Sequence, residues 1–146
     1  MIIYKEMIVY NSHIIEFGIH IDELKSIIPN MDIITFKNLT YCTITESIFG
    51  LSSECTFIFK NNKLIQLKFL PIIQEYKQIL KEFNIATLNE CFENAYVYLS
   101  SAFENNRSFI CIYKDNYKSC YTSTNLSINI NYNDKNETVI MTINTI

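Results

Sequence analysis

The centre of the chain has the hydrophobic and polar pattern of a β-hairpin. Two apolar runs, 55–59 and 64–70, flank polar residues 60–63, and the central Asn61 and Asn62 tolerate the positive φ that a tight hairpin turn requires. Both faces of this hairpin are apolar, so we expect it to be central in its sheet and covered on one side by a helix. The pairs predicted for a two-residue loop are Lys60 with Lys63, Ile58 with Ile65, and Thr56 with Leu67.

The segment that follows the hairpin predicts two helices with a short connection. Between residues 72 and 83, apolar side chains recur at the spacing of one helical stripe. Thr87 and Glu90 then have the spacing of a capping box, and the helical pattern continues over 88–103. Because helices joined so briefly lie antiparallel, we expect a central helical hairpin over 71–104.

The flanking segments predict antiparallel strands and one short helix. Residues 21–28 place apolar side chains on one helical face, with two carboxylates in the first turn, where the helix dipole favours them. The 146 residues fit one domain. We therefore predict an α+β fold in which antiparallel sheet strands carry a short N-terminal helix and the helical hairpin packs on the sheet. Its parts are strands with one short helix (1–70), two helices (71–104) and antiparallel strands (108–146).

Composition and charge restrict the possible environments and partners. The formal charge is −3, and 18% of residues are charged against 49% apolar, as in ordinary globular proteins. No apolar run approaches the roughly 18 residues of a membrane span, and the start of the chain lacks the features of a signal peptide. Five cysteines without C-x-x-C spacing are typical of buried, reduced thiols. We expect a cytoplasmic protein that binds neither membranes nor, given its acidity, nucleic acid.

Motifs for catalysis, metal binding or cofactor binding are missing from the sequence. His13 and His20 are seven residues apart with no nearby cysteine, so the spacing of zinc ligands is not present. The carboxylate pairs lack an accompanying histidine or nucleophile, and a chain with only two glycines has no phosphate-binding glycine loop. The sequence therefore predicts a protein that is not an enzyme and carries no cofactor or metal.

Two short stretches carry a resemblance to known proteins. Phe17-Gly18-Ile19 followed by a short helix, and later Phe57-x-Phe59-x-Asn61-Asn62-Lys63-Leu64, resemble an arrangement in many small bacterial α+β proteins. In size, acidity and lack of motifs the chain is similar to cytoplasmic immunity proteins of bacterial polymorphic toxin systems, including those of contact-dependent growth inhibition. This resemblance implies a non-catalytic protein that binds the C-terminal toxin domain of a cognate effector and neutralises it. An acidic protein complements a basic partner such as a nuclease.

Four acidic residues in polar stretches are the candidate partner-binding residues: Asp22, Glu23, Glu46 and Glu54. Ordinary solvated charge is the alternative interpretation of each. A second hypothesis is a self-associating or small-ligand-binding α+β domain with an apolar pocket between helix and sheet. A third is an enzyme, which would require a cleft that brings together Glu16, one of the two histidines and a tyrosine.

Overall fold

The computed structural model describes residues 1–4, 7–72 and 88–146, without the side chains of Ile2, Tyr4 and 88–90. Within these residues, the protein has a three-stranded sheet, an eight-stranded sheet and two helices. The small sheet consists of β1 (Ile2–Tyr4), β2 (Met7–Tyr10) and β3 (His13–Ile15), and the helices are α1 (Ile21–Ile27) and α2 (Leu88–Glu104). The large sheet consists of β4 (Asp32–Phe36), β5 (Leu39–Ile48), β6 (Leu51–Lys60), β7 (Lys63–Pro71), β8 (Ile110–Lys114), β9 (Lys118–Thr122), β10 (Leu126–Asn133) and β11 (Thr138–Thr145).

The large sheet is built from two antiparallel meanders that join in its middle. Its strand order is β4-β5-β6-β7-β11-β10-β9-β8. Strand β7, the last of the first meander, pairs with β11, the last of the second. This pairing places Phe69 opposite Met141 and Leu67 opposite Ile143. The hairpin β6–β7 is therefore central in the sheet, as predicted, and β4 and β8 are the edge strands.

Several hairpins turn through two residues with positive φ. At Asn61 and Asn62 the φ values are 51° and 63°, the backbone of a type I′ turn, whose twist matches the flanking strands. The predicted turn of the central hairpin is thus confirmed. Lys37-Asn38 and Phe49-Gly50 connect β4 to β5 and β5 to β6 in the same way.

The register of the central hairpin differs from the prediction after its first pair. Lys60 does face Lys63, but Ile58 pairs with Gln66 and Thr56 with Lys68, so the other two predicted pairs are wrong. The cause is a β-bulge in which Ile65 is the extra residue. The bulge places Leu64 and Leu67 on the same face although they are three positions apart, so that both are buried.

The hydrophobic core lies on one face of the large sheet. Buried side chains of β5, β6, β7, β9, β10 and β11 form one continuous cluster with those of both helices and the small sheet. Helix α2 packs on β10 and β11 through a buried stripe that includes Ala95, Leu99 and Phe103. Helix α1 contributes Ile21 and Leu24 to the same cluster.

The predicted fold class is wrong in its central helical hairpin. Among the described residues a single long helix, α2, packs on the large sheet, and its buried stripe faces strands and not a second helix. The apolar pattern of α2 is explained by this contact with β10 and β11, which local spacing could not distinguish from a contact with another helix. The stretch predicted as the first helix of the hairpin, 72–83, lies from residue 73 onward outside the described residues.

The opposite face of the large sheet is polar. Cross-strand neighbours on this face form hydrogen bonds: Gln66 Nε2 donates to Asn144 Oδ1 over 2.7 Å, and the hydroxyls of Thr43 and Thr56 lie 3.2 Å apart. Alternation along β10 follows the predicted pattern, with Ile128 and Ile130 fully buried and Ser127 on the polar face. In the described part of the chain, neither helix has the length and apolar character required to cross a membrane.

Candidate functional site

A cleft lies between the small sheet and one end of the large sheet. Its floor is apolar and buried, formed by Ile8 and Ile15 of the small sheet and by Leu126 at the start of β10. Its rim is exposed and includes Ile14, whose side chain is 52% accessible to solvent. The volume of about 400 Å³ is within the range of ligand pockets.

A second depression of about 270 Å³ adjoins the first and shares Ile14, Glu16 and Phe17 with it. It extends along the chain to Gly18 and Ile19 and is bounded by Glu23 of α1. Because the two depressions share these residues, we treat them as one site and call it the N-terminal cleft.

Backbone hydrogen bonds hold the wall of the N-terminal cleft against the central hairpin. The amide of Gly18 donates to the carbonyl of Leu64 over 2.8 Å, and the amide of Leu64 donates to the carbonyl of Ile19 over 3.0 Å. Gly18 has a φ of 85°, a conformation that side chains other than hydrogen disfavour. The segment that carries Glu16 is thus attached to the most central hairpin of the protein.

The N-terminal cleft has two carboxylates and no basic side chain among the described residues that line it. The carboxylates of Glu16 and Glu23 form no hydrogen bond or ion pair with any described residue, and both residues are exposed. No histidine or tyrosine lines the cleft either, so the convergence that the enzyme hypothesis required is not found in this part of the structure. The site combines an apolar floor with uncompensated negative charge.

The four predicted partner-binding residues lie on different surfaces, and two of them are on α1. Asp22 is exposed, and its backbone amide donates to His20 Nδ1, the N-cap of α1, over 3.1 Å. The same nitrogen lies 3.6 Å from Asp22 Oδ2. Glu23, its neighbour, borders the N-terminal cleft.

The other two predicted residues lie on opposite faces of the large sheet. Glu46 points to the core face, where its carboxylate lies 3.4 Å from the amine of Met1. Burial raises the pKa of the nearby Cys55 thiol to about 12, and the charge of Glu46 acts in the same direction. Glu54 is exposed beside Thr45 on the polar face. These two carboxylates therefore cannot meet one flat partner surface together.

Sequence reasoning did not select Glu16 as a partner-binding residue. It lies in an apolar stretch directly after β3, where the alternation alone favours an exposed strand residue. The sequence does contain a local signal for Glu16. It is a single charged residue between Ile15 and Phe17, just before Gly18, one of only two glycines in the chain. That Glu16 and Leu126 line the same cleft depends on tertiary structure and has no such signal.

The edge strand β8 exposes an unusual amount of apolar surface. All five of its residues are exposed, and Ile110 and Ile112 are 72% and 65% accessible. Tyr113 and, after the strand, Tyr117 add two half-exposed aromatic rings. Edge strands normally have charges, prolines or covering segments that prevent pairing with other chains. We call Ile110, Ile112, Tyr113 and Tyr117 the β8 edge surface.

A polar cluster under the end of α2 ties this helix to β8 and β9. The hydroxyls of Ser100 and Ser119 lie 2.8 Å apart and are fully buried, and the Tyr121 hydroxyl donates to Glu104 Oε1 over 3.1 Å. Lys114 donates to the same carboxylate, and this bond holds the pKa of Glu104 below its ordinary value. Because both serines are inaccessible, they cannot meet a substrate, and the cluster stabilises the fold.

The buried Tyr121 makes stability depend on pH in the alkaline range. Burial raises the pKa of its hydroxyl to about 12 from an ordinary value of 10.0. Between these values the unfolded chain loses the proton while the native state keeps it, so the free energy of unfolding falls as the pH rises from 10 to 12. We expect Tyr121→Phe to show a shallower fall than the wild type in urea titrations at pH 9, 10 and 11. Equal slopes for both proteins would contradict the assignment.

The described residues contain no group of three or more histidine, cysteine or acidic side chains that could hold a metal ion. The five cysteines are free thiols, three of them buried. Comparisons of the chain with protein-family models, with curated proteins and with solved structures find no match. The geometry of the N-terminal cleft and of the β8 edge surface is therefore the basis for a functional proposal.

Proposed function

We propose that this protein is a non-catalytic binding protein of the immunity class, which acts in the cytoplasm. Its partner is the C-terminal toxin domain of a cognate effector, and neutralisation results from binding alone. The net charge of −3 favours a basic toxin such as a nuclease, since opposite charge accelerates association.

The observation that supports binding most strongly is the β8 edge surface. Large exposed apolar patches on soluble proteins mark interaction sites, and tyrosines are enriched at protein interfaces. A free edge also offers backbone donors and acceptors that can pair with a strand of another protein. Both the side chains and the backbone of β8 are thus suited to a protein partner.

Ile110 of the β8 edge surface lies at the same end of the large sheet as the N-terminal cleft, whereas Tyr117 stacks on Tyr132 at the other end of β10. Ile110 pairs with Thr122, and Thr122 pairs with Ser127, the neighbour of Leu126 on the cleft floor. Adjacent strands lie about 4.8 Å apart, so two strand spacings separate β8 from β10.

The experiment tests whether this protein protects a bacterial host from the toxin encoded beside its gene. The neighbouring C-terminal toxin domain is expressed in a bacterial host, alone and with this protein, and growth is recorded. We expect growth to be restored and the two purified proteins to elute together in size-exclusion chromatography. The proposal is wrong if the adjacent gene encodes no toxin, or if the wild-type protein neither protects nor binds.

A pair of matched variants assigns the surface. Ile112→Lys places a charge on the β8 edge surface, and Ile34→Lys does the same at 67% accessibility on the other edge strand, β4. We expect Ile112→Lys to weaken toxin binding about tenfold or more, as for a contact at the centre of an interface, and Ile34→Lys to have little effect. If titration calorimetry shows the larger loss of toxin affinity for Ile34→Lys, the toxin-binding surface is on β4 and not on β8.

Self-association is the second candidate, and one observation favours it. Strand β4 also has five exposed residues, including Ile34 and Phe36, and two copies could pair through this edge. In that case light scattering of the wild type would give the mass of a dimer, and Ile34→Lys would give the mass of a monomer.

A further inference from the structure

We propose that the N-terminal cleft is a receptor for one long basic side chain, an arginine or a lysine, presented by the partner protein. This inference rests on the proposed function, because it names the chemistry by which the toxin domain is held. It also concerns residues that the β8 edge surface does not include.

The apolar floor fits the stem of such a side chain. Arginine and lysine place their methylene groups along apolar surface while the charged head stays near water or a counter-charge. Ile8, Ile15 and Leu126 form this surface, and the exposed rim at Ile14 leaves the cleft open from the solvent side. An open cleft suits a side chain that enters from another protein.

The two carboxylates fit the charged head. Glu16 belongs to both depressions and Glu23 borders the second, and neither is paired with a described residue. Charge-assisted hydrogen bonds between guanidinium or ammonium groups and carboxylates are stronger than neutral ones. An anionic side chain would meet two carboxylates and no positive charge in the described lining, so the charge of the cleft favours a cation.

The apolar floor and the two carboxylates together indicate which group occupies the N-terminal cleft. Uncompensated carboxylates alone would be ordinary solvated charge, and an apolar floor alone would accept any hydrophobic group. A group with an apolar stem and a cationic end satisfies both, and a basic toxin surface supplies such groups. Electrostatic complementarity of this kind contributes to the rate and specificity of association.

The direct test uses n-butylguanidinium as a probe of the arginine side chain, with n-butylurea as its neutral control. Amide chemical shifts of the full-length protein are followed by ¹H–¹⁵N NMR during titration. We expect saturable shifts at Ile15, Phe17 and Leu126 with n-butylguanidinium, and much weaker shifts with n-butylurea. Equal shifts with both compounds, or no saturable shift at these residues, would overturn the proposal.

Variants connect the shifts to the carboxylates. Glu16→Gln combined with Glu23→Gln keeps the shape of the cleft and removes its charge, and we expect the probe to bind about fivefold more weakly, as for two exposed ion pairs. Asp134→Asn combined with Glu137→Gln removes two exposed carboxylates from the turn between β10 and β11 and should leave the titration unchanged. Equal loss in both variants would indicate a general charge effect and refute a specific site.

The results for the cleft can be distinguished from the result of the growth assay. If the double variant binds the toxin domain as tightly as the wild type, the cleft does not receive a basic side chain of that partner, even though protection itself is retained. If the wild type fails to protect, the immunity function is wrong whatever the probe does.

Discussion

Replacing Phe103 by alanine should lower the free energy of unfolding by about 3–5 kcal/mol, the range for removal of a buried aromatic ring. Phe103 is 1% accessible and connects α2 to three other parts of the chain. Its ring centroid lies 5.5 Å from that of Phe49, 5.2 Å from Phe109 and 5.6 Å from Tyr121. The contacts with Phe49 and Phe109 are edge-to-face and the contact with Tyr121 is stacked, and such aromatic pairs add to the stabilisation from burial.

The effect is measured by urea denaturation followed by circular dichroism. Val97→Ala is the matched control, because Val97 lies on the same helix with 48% accessibility and is expected to change stability by about 0.5 kcal/mol or less. If the free energy of unfolding falls by a similar amount in both variants, α2 does not hold the rings that surround Phe103 in place.

Deletion of Thr56 should abolish cooperative folding, whereas deletion of Ile65 should be tolerated. Thr56 lies on the polar face of β6 between inward-facing Cys55 and Phe57. Side chains alternate between the two faces along a strand, so without Thr56 the core-facing residues on one side of the deletion would point to the polar face. Only a bulge in both neighbouring strands would keep these residues in the core. The loss of several buried side chains, about 1.5–3 kcal/mol each, approaches the whole stability of a domain.

Ile65 differs because it is the extra residue of the bulge. When it is removed, Leu64, Gln66, Leu67 and Lys68 alternate regularly, with both leucines still on the core face. We expect a change in stability of about 1 kcal/mol or less. Thermal unfolding followed by circular dichroism distinguishes the two deletions. If deletion of Ile65 also abolishes the transition, the bulge has a further role in packing.

Local chemistry made much of the fold predictable. Asn61-Asn62 predicts its turn because asparagine adopts positive φ readily, and the C-terminal strands follow from strict alternation. The pairing of β7 with β11 was not predictable, because the two strands are far apart in sequence and neither pattern specifies its neighbour. The helical spacing of α2 likewise does not specify whether a helix or a sheet covers it, and this is where the predicted helical hairpin was wrong.

The candidate site was harder to predict than the fold. Charge alone selects Asp22, Glu23, Glu46 and Glu54, but it cannot show that Glu46 and Glu54 point to opposite faces of one sheet. Of these four residues, Glu23 borders the N-terminal cleft. Glu16 becomes a candidate only when the small sheet is placed against the start of β10. The exposure of β8 likewise depends on its edge position in the strand order.

The position of β11 has a consequence for synthesis on the ribosome. Strand β11, through which the second meander joins the first, is synthesised after the other described strands. Until then the first meander can form its hairpins, but β7 presents an open edge where β11 will later pair. Completion of the core therefore waits for the synthesis of β11, and until then the unpaired edge of β7 exposes the nascent chain to aggregation.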